Sequence, residues 1–118
     1  MESRRQLKIS RLVQKEISDI FQREGPRYFG KAFVTVSGAQ VSPDLLLARI
    51  YLSVFQSDKP GELIALVQMH AGELRGKLGK RMRSQLRRIP ELEFHLDESL
   101  DEVFRLEKIF RDINEKKP

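Results

Sequence analysis

The chain contains no cysteine. Disulfides and thiolate metal sites are therefore excluded, which fits a reducing compartment. No apolar run approaches the roughly 18–20 residues that a membrane span requires. A cleavable secretory signal is not expected either. The opening Met1-Glu2-Ser3-Arg4-Arg5 is charged, and the amphipathic stretch behind it has neither a separate apolar region nor a small-residue cleavage site. A cytoplasmic location with no membrane partner is expected. His70 and His95 stand far apart with no metal-ligand spacing, so no metal and no other cofactor is expected. One further absence is local: from position 75 to 88 there is no Asp or Glu, against seven bases, Arg75, Lys77, Lys80, Arg81, Arg83, Arg87 and Arg88.

That local absence gives the charge a direction. The net charge of +5 is uneven. Residues 1–23 hold six bases and three acids, and residues 24–69 hold four of each. Residues 70–90 hold seven bases and one acid, whereas 91–118 hold five bases and nine acids. A basic pole attracts phosphate and an acidic segment repels it. No acidic partner at i+4 is read for these bases, so internal pairing does not account for them and nucleic-acid contact is expected. Arg4, Arg5, Lys8 and Arg11 are secondary candidates. The 118 residues, 40% apolar and 33% charged, suit one soluble domain spanning 1–118 with an ordered core at about 4–113.

Periodicity supplies the elements. Ile9, Leu12, Val13, Ile17, Ile20 and Phe21 form one apolar helix face. Gly25-Pro26 is expected to end that helix, and Arg27 to Lys31 to form a loop. Phe33-Val34-Thr35-Val36-Ser37 alternates as a strand, and Gly38 marks a bulge or bend. Ser42-Pro43-Asp44 is a turn. From Leu45 to Phe55 a second strand turns Ala48, Ile50, Leu52 and Val54 one way and Arg49, Tyr51 and Ser53 the other, giving an antiparallel hairpin.

Ser57-Asp58-Lys59-Pro60 opens a helix whose inner face is Leu63, Leu66, Val67 and His70 or Ala71. The pattern continues through Leu74, Leu78 and Met82 past Gly72, Gly76 and Gly79. Each interior glycine costs about 1 kcal/mol against alanine, so two helices meeting at a kink near His70-Ala71-Gly72 are expected. Residues 91–96 read as a third strand. Ser99-Leu100-Asp101-Glu102 has the form of a capping box ahead of a last helix bearing Val103, Leu106, Phe110 and Ile113.

This order, α-β-β-α-kink-α-β-α, with its basic kinked helix pair, resembles the type-II KH fold. The segments resemble more specifically the ribosome-binding factor A family of bacterial small-subunit assembly factors. The matching pieces are Val34-Thr35-Val36-Ser37-Gly38, then Val41-Ser42-Pro43-Asp44-Leu45 with Ala48 and Tyr51-Leu52-Ser53. They continue with Gly72-Glu73-Leu74-Arg75, Leu78-Gly79-Lys80-Arg81-Met82-Arg83 and Ile89-Pro90-Glu91-Leu92-Glu93-Phe94 with Asp97. Arg11-Leu12-Val13 also fits. The resemblance covers roughly residues 4 to 113.

The resemblance implies an α+β domain, a three-stranded sheet with helices on one face. It implies a non-catalytic monomer that binds the immature small ribosomal subunit and its rRNA and assists late maturation and rRNA processing, often in the cold. In the family an A-x-G kink replaces the KH GxxG loop. It maps here onto His70-Ala71-Gly72, where the glycine matches and an imidazole stands in place of a methyl group. A general KH-type RNA chaperone is one rival; a protein-interaction adaptor using the acidic C-terminal helix is another.

Other motifs are read more plainly. Gly76-Lys77-Leu78-Gly79 is a literal GxxG, but the family pattern places it inside a helix. Glu91, Glu93, Asp97 and Glu98 alternate along a strand and cap instead of converging as the paired carboxylates of a hydrolase do. No enzyme activity, catalytic residue or small-molecule substrate is expected. Tyr28, Phe29 and Phe33 could stack bases, but packing is the preferred reading.

Overall fold

A computed structural model describes residues 2–55 and 57–98. The expected capping box at 99–102 and the helix bearing Val103, Leu106, Phe110 and Ile113 lie outside the described residues. The described order is α1 (Arg4–Phe29), β1 (Phe33–Val41), β2 (Leu47–Phe55), α2 (Pro60–Met69), α3 (Ala71–Met82) and β3 (Glu91–Leu96). This is the expected α+β arrangement: three helices with a mixed sheet in the order β1-β2-β3. β1 and β2 pair antiparallel with a register shift between Val36 and Gly38, the bulge anticipated at Gly38. β2 and β3 pair parallel from Leu47↔Glu91 to Leu52↔Leu96.

α1 starts on a complete capping box, with Ser3 Oγ accepting from the Gln6 amide and Gln6 Oε1 accepting from the Ser3 amide. Its inner face buries Ile9, Val13, Ile17, Ile20 and Phe21 against the sheet. Two polar residues share that face. Ser10 Oγ accepts from the Val41 amide at 3.0 Å, and Gln6 Nε2 donates to the Val41 carbonyl at 3.1 Å. Their burial is thereby satisfied. Gln68 of α2 makes the same kind of pair on β3, donating to the Leu92 carbonyl at 3.0 Å and accepting from the Phe94 amide at 2.8 Å.

Helix α1 does not stop at Gly25-Pro26, nor do Arg27 to Lys31 form a loop throughout. The helix breaks at Glu24 (φ −127°, ψ 16°), restarts around Pro26 and runs to Phe29. Proline in a helix interior costs about 3 kcal/mol, but here it sits in the first turn after the break, where its missing N–H is not needed. The added turn buries Tyr28 and Phe29, each contributing about 1.5–3 kcal/mol, so continuation wins. Phe29 stands edge-on to Phe21 with centroids 5.3 Å apart. Its ring folds back over Gly25 so closely that a Cβ there would lie 2.5 Å from Phe29 Cζ. Gly30, at φ 61°, closes the turn by donating its N–H to the Pro26 carbonyl.

Three smaller expectations are also corrected. β2 begins at Leu47 rather than Leu45, because Leu45 has φ 62° and cannot join a ladder. Leu66 is 41% exposed instead of buried, and Val67 alone of α2 is fully covered. Ser53, assigned to the open side, is buried, and its Oγ has no hydrogen-bond partner among the described residues.

Candidate nucleic-acid interface

The basic segment occupies α3 and the turn that returns the chain to β3. α3 is a separate helix because His70 (φ −95°, ψ 9°) interrupts the run between Met69 and Ala71. Its carbonyl still accepts from the Leu74 amide at 2.9 Å, so α3 is capped by backbone alone. The imidazole has a place of its own. It packs edge-on against Tyr28 with centroids 5.2 Å apart, and Nδ1 lies 3.6 Å from the Glu73 carboxylate. The last turn of α1 therefore receives this larger side chain. A Cβ at Gly72 would meet nothing within 4 Å, so packing does not demand glycine there.

Leu74, Leu78 and Met82 are fully buried and Leu86 nearly so. This fixes which bases turn inward. Arg75 donates from Nε and Nη2 to the Ile89 carbonyl, at 3.2 and 2.8 Å, and so pins the returning turn. Lys77 Nζ donates to Glu24 Oε2 at 2.8 Å and to Tyr28 Oη, with its charge 5.0 Å from the Tyr28 ring centroid. Those hydrogen bonds, Glu24 first and Tyr28 second, hold the Lys77 pKa above the ordinary lysine range. Arg81 donates to Glu16 at 2.8 Å and lies 3.6 Å from Asp19. Arg27 pairs with Glu73 at 2.6 Å; this hydrogen bond, and the charge behind it, hold the Glu73 carboxyl below its usual range.

The expectation that internal pairing could not account for the bases is thus corrected for Lys77 and Arg81. Glu73 stands four residues before Lys77 at 4.0 Å, and the stronger partners, Glu16, Asp19 and Glu24, come from α1. Lys80, Arg83, Arg87 and Arg88 are different. All four are exposed and none has a carboxylate partner among the described residues. Lys80, Arg83 and Arg87 border one cleft, whose remaining walls are Gly76, Gly79, Leu86 and Ile89.

Arg4, Arg5, Lys8 and Arg11 are likewise exposed and unpaired among the described residues. Lys15 joins them, completing a 4, 8, 11, 15 stripe opposite the buried face. The sequence reading left it out of the candidate set, although helical spacing marks it. Exposed Leu7 and half-buried Leu12 lie among these bases in a shallow groove.

The literal GxxG, Gly76 to Gly79, lies within α3 and forms no loop. Of the possible stacking aromatics, Tyr28 and Phe29 are core residues, whereas Phe33 is 56% exposed and leans on Phe55 with centroids 5.7 Å apart. Glu93 engages His95 and lies 3.7 Å from Arg49, while Asp97 accepts from Ser37 Oγ at 2.6 Å. These carboxylates are therefore partnered along the strand. Among the described residues no group of His, Asp or Glu is placed to hold a metal ion, and no helix is long and apolar enough to cross a membrane.

A family model described as ribosome-binding factor A matches residues 5–110. The ribosome-binding factor A of Cytophaga hutchinsonii is 38% identical over 113 residues, covering 96% of this chain and 85% of that protein. The crystal structure of ribosome-binding factor A from Thermus thermophilus matches with a TM-score of 0.64 at 21% identity, over 77% of this chain and 94% of the other. A homology model of the Thermus thermophilus protein, fitted into a cryo-EM map of its 30S complex, matches with a TM-score of 0.56 at 23% identity, over 83% and 97%. At these identities the structural likeness is one of fold.

Proposed function

The chain belongs to the ribosome-binding factor A family, and on that premise we propose that it is a single KH-like domain that binds the small ribosomal subunit through its rRNA. It acts in the cytoplasm, as a monomer, in late maturation and rRNA processing, including in the cold, and catalyses no reaction. The observation that carries this reading is the set Lys80, Arg83, Arg87 and Arg88. These are four exposed cations with no carboxylate partner among the described residues, next to a buried apolar row that holds them in place. The fitted 30S complex of a protein with this fold supports it.

Bases so placed meet phosphates, which set affinity and register without reading sequence. The α1 stripe supplies a second set. A binding protein without chemistry can shift an RNA equilibrium only by preferring one state. The chain would stabilise the immature subunit conformation and leave when the mature one no longer offers the site.

Sedimentation of cell extract tests this. The chain should travel with free small subunits and be depleted from complete ribosomes, and a Lys80→Glu/Arg83→Glu/Arg87→Glu variant should stay at the top of the gradient. Wild-type protein that remains at the top, or spreads over all RNA species alike, would overturn the reading; the second outcome would favour a general RNA chaperone.

A further inference from the structure

We propose that the cleft between α3 and the turn at residues 83–89 is a seat for one phosphodiester group of an RNA strand, and that Gly76 keeps it open. The inference rests on the rRNA reading above and narrows it to one place. The cleft holds about 310 Å³. Lys80, Arg83 and Arg87 stand at its border, exposed and without a carboxylate partner among the described residues. Nearly buried Leu86 and half-buried Ile89 give it an apolar wall, suited to a ribose carbon face beside a phosphate.

The two glycines act differently. At Gly79 a Cβ would lie 3.2 Å from Ile89 Cγ1, so glycine lets the returning turn close against α3. The turn is held there by the fork from Arg75 to the Ile89 carbonyl. At Gly76 a Cβ would meet nothing within 4 Å. Packing does not require glycine at that position, and mid-helix glycine weakens a helix. The space it leaves opens onto the cleft and its three cations. A side chain there would take the volume a phosphodiester needs.

Stability and binding therefore separate in opposite directions. Gly76→Ala and Gly76→Gln should raise the melting temperature by a few degrees, about 4 °C for a chain this size. Both should weaken binding to a single-stranded RNA of about ten nucleotides, by about threefold and tenfold respectively, in the order of side-chain volume. Gly72→Ala, on the same helix but outside the cleft, should also raise the melting temperature and leave RNA affinity unchanged.

Gly76 variants that are stabilised but bind RNA like Gly72→Ala would overturn the cleft. In that event, loss of binding in Lys80→Glu/Arg83→Glu/Arg87→Glu would leave the broader reading standing. Full binding by that triple variant, to both the oligonucleotide and the small subunit, would overturn the broader reading as well. A Gly76 variant with a lowered melting temperature would show that packing, not a ligand, sets the glycine, and would also overturn the proposal.

Discussion

Arg75, Lys77 and Arg81 face the body of the molecule and are bound to it: to the Ile89 carbonyl, to Glu24 and Tyr28, and to Glu16. Lys80, which stands between Lys77 and Arg81, and Arg83, Arg87 and Arg88, which follow, face outward and lack carboxylate partners among the described residues. One unbroken basic segment is thus two populations. The inner set fastens the returning turn to α3, through Arg75, and α3 to α1, through Lys77 and Arg81. The outer set has its charge to give to something else. A count of basic residues overstates the charge available to a partner, because pairing lowers the field that the inner set projects.

The largest test of this division is reversal of the outer set. Lys80→Glu/Arg83→Glu/Arg87→Glu should reduce affinity for the small subunit at least about 100-fold while far-UV circular dichroism and melting stay near wild type, since each lost phosphate contact costs charge-assisted hydrogen bonds. The salt dependence should flatten too. The slope of log affinity against log salt should fall by about 0.7–0.9 for each phosphate contact removed, whereas Lys77→Met should leave the slope unchanged. A triple variant that melts early and binds well would reverse the assignment of the two sets.

The scaffold that presents Glu24 and Tyr28 to Lys77 comes next. Gly25→Ala should destabilise the fold by about 1–3 kcal/mol, because the new methyl must push Phe29 off Phe21. Denaturant melts would show it. Unchanged stability would mean that the last turn of α1 adjusts freely.

Arg81→Ala should cost about 1 kcal/mol of stability, with Glu16 left half-buried and unpaired, and change RNA affinity less than Arg83→Ala does. Arg81→Glu would be a poor probe of binding, since it would place a third carboxylate beside Glu16 and Asp19.

The smallest effect is with pH. Glu73, depressed by its hydrogen bond from Arg27, and Asp44, depressed by those from Ser42 Oγ and the Leu46 amide, titrate lower folded than unfolded. Their contribution is complete above the unfolded carboxylate range of about pH 4. It is lost as pH falls through the lower folded values. Melts between about pH 6 and pH 3 should decline less in Arg27→Ala than in wild type; parallel curves would remove Glu73 from the inner network.

Much of this frame was legible in the sequence. Alternation set β3 at its observed bounds and the hairpin as antiparallel, and three- and four-residue spacing found Leu74, Leu78 and Met82. The break at His70 followed from the crowding of glycines, even though Gly72 itself has room for a side chain. What could not be read was set by distance. Glu73 is in helical register with Lys77, but the stronger partners of Lys77 and Arg81, Glu24 and Glu16, lie 53 and 65 positions away, so no local spacing rule reveals them. The continuation of α1 past Pro26 depended on Phe29 meeting Phe21 over Gly25, a contact that a proline signal hides. Ser10 interrupts the apolar face of α1, and only the Val41 backbone explains it; Gln6 is marked locally by its capping box with Ser3, but its bond to Val41 is not.

Those polar side chains bear on how the protein keeps company with its own kind. Among the described residues β1 and β3 are the outer strands of the sheet, and such strands invite a further strand from another chain. Gln6 and Ser10 occupy the outward backbone groups of Val41, and Gln68 those of Leu92 and Phe94. Another copy seeking to extend the sheet at these points would find the backbone donors and acceptors already taken. Among the described residues, helices that cover one face of the sheet thus also seal points on both of its margins.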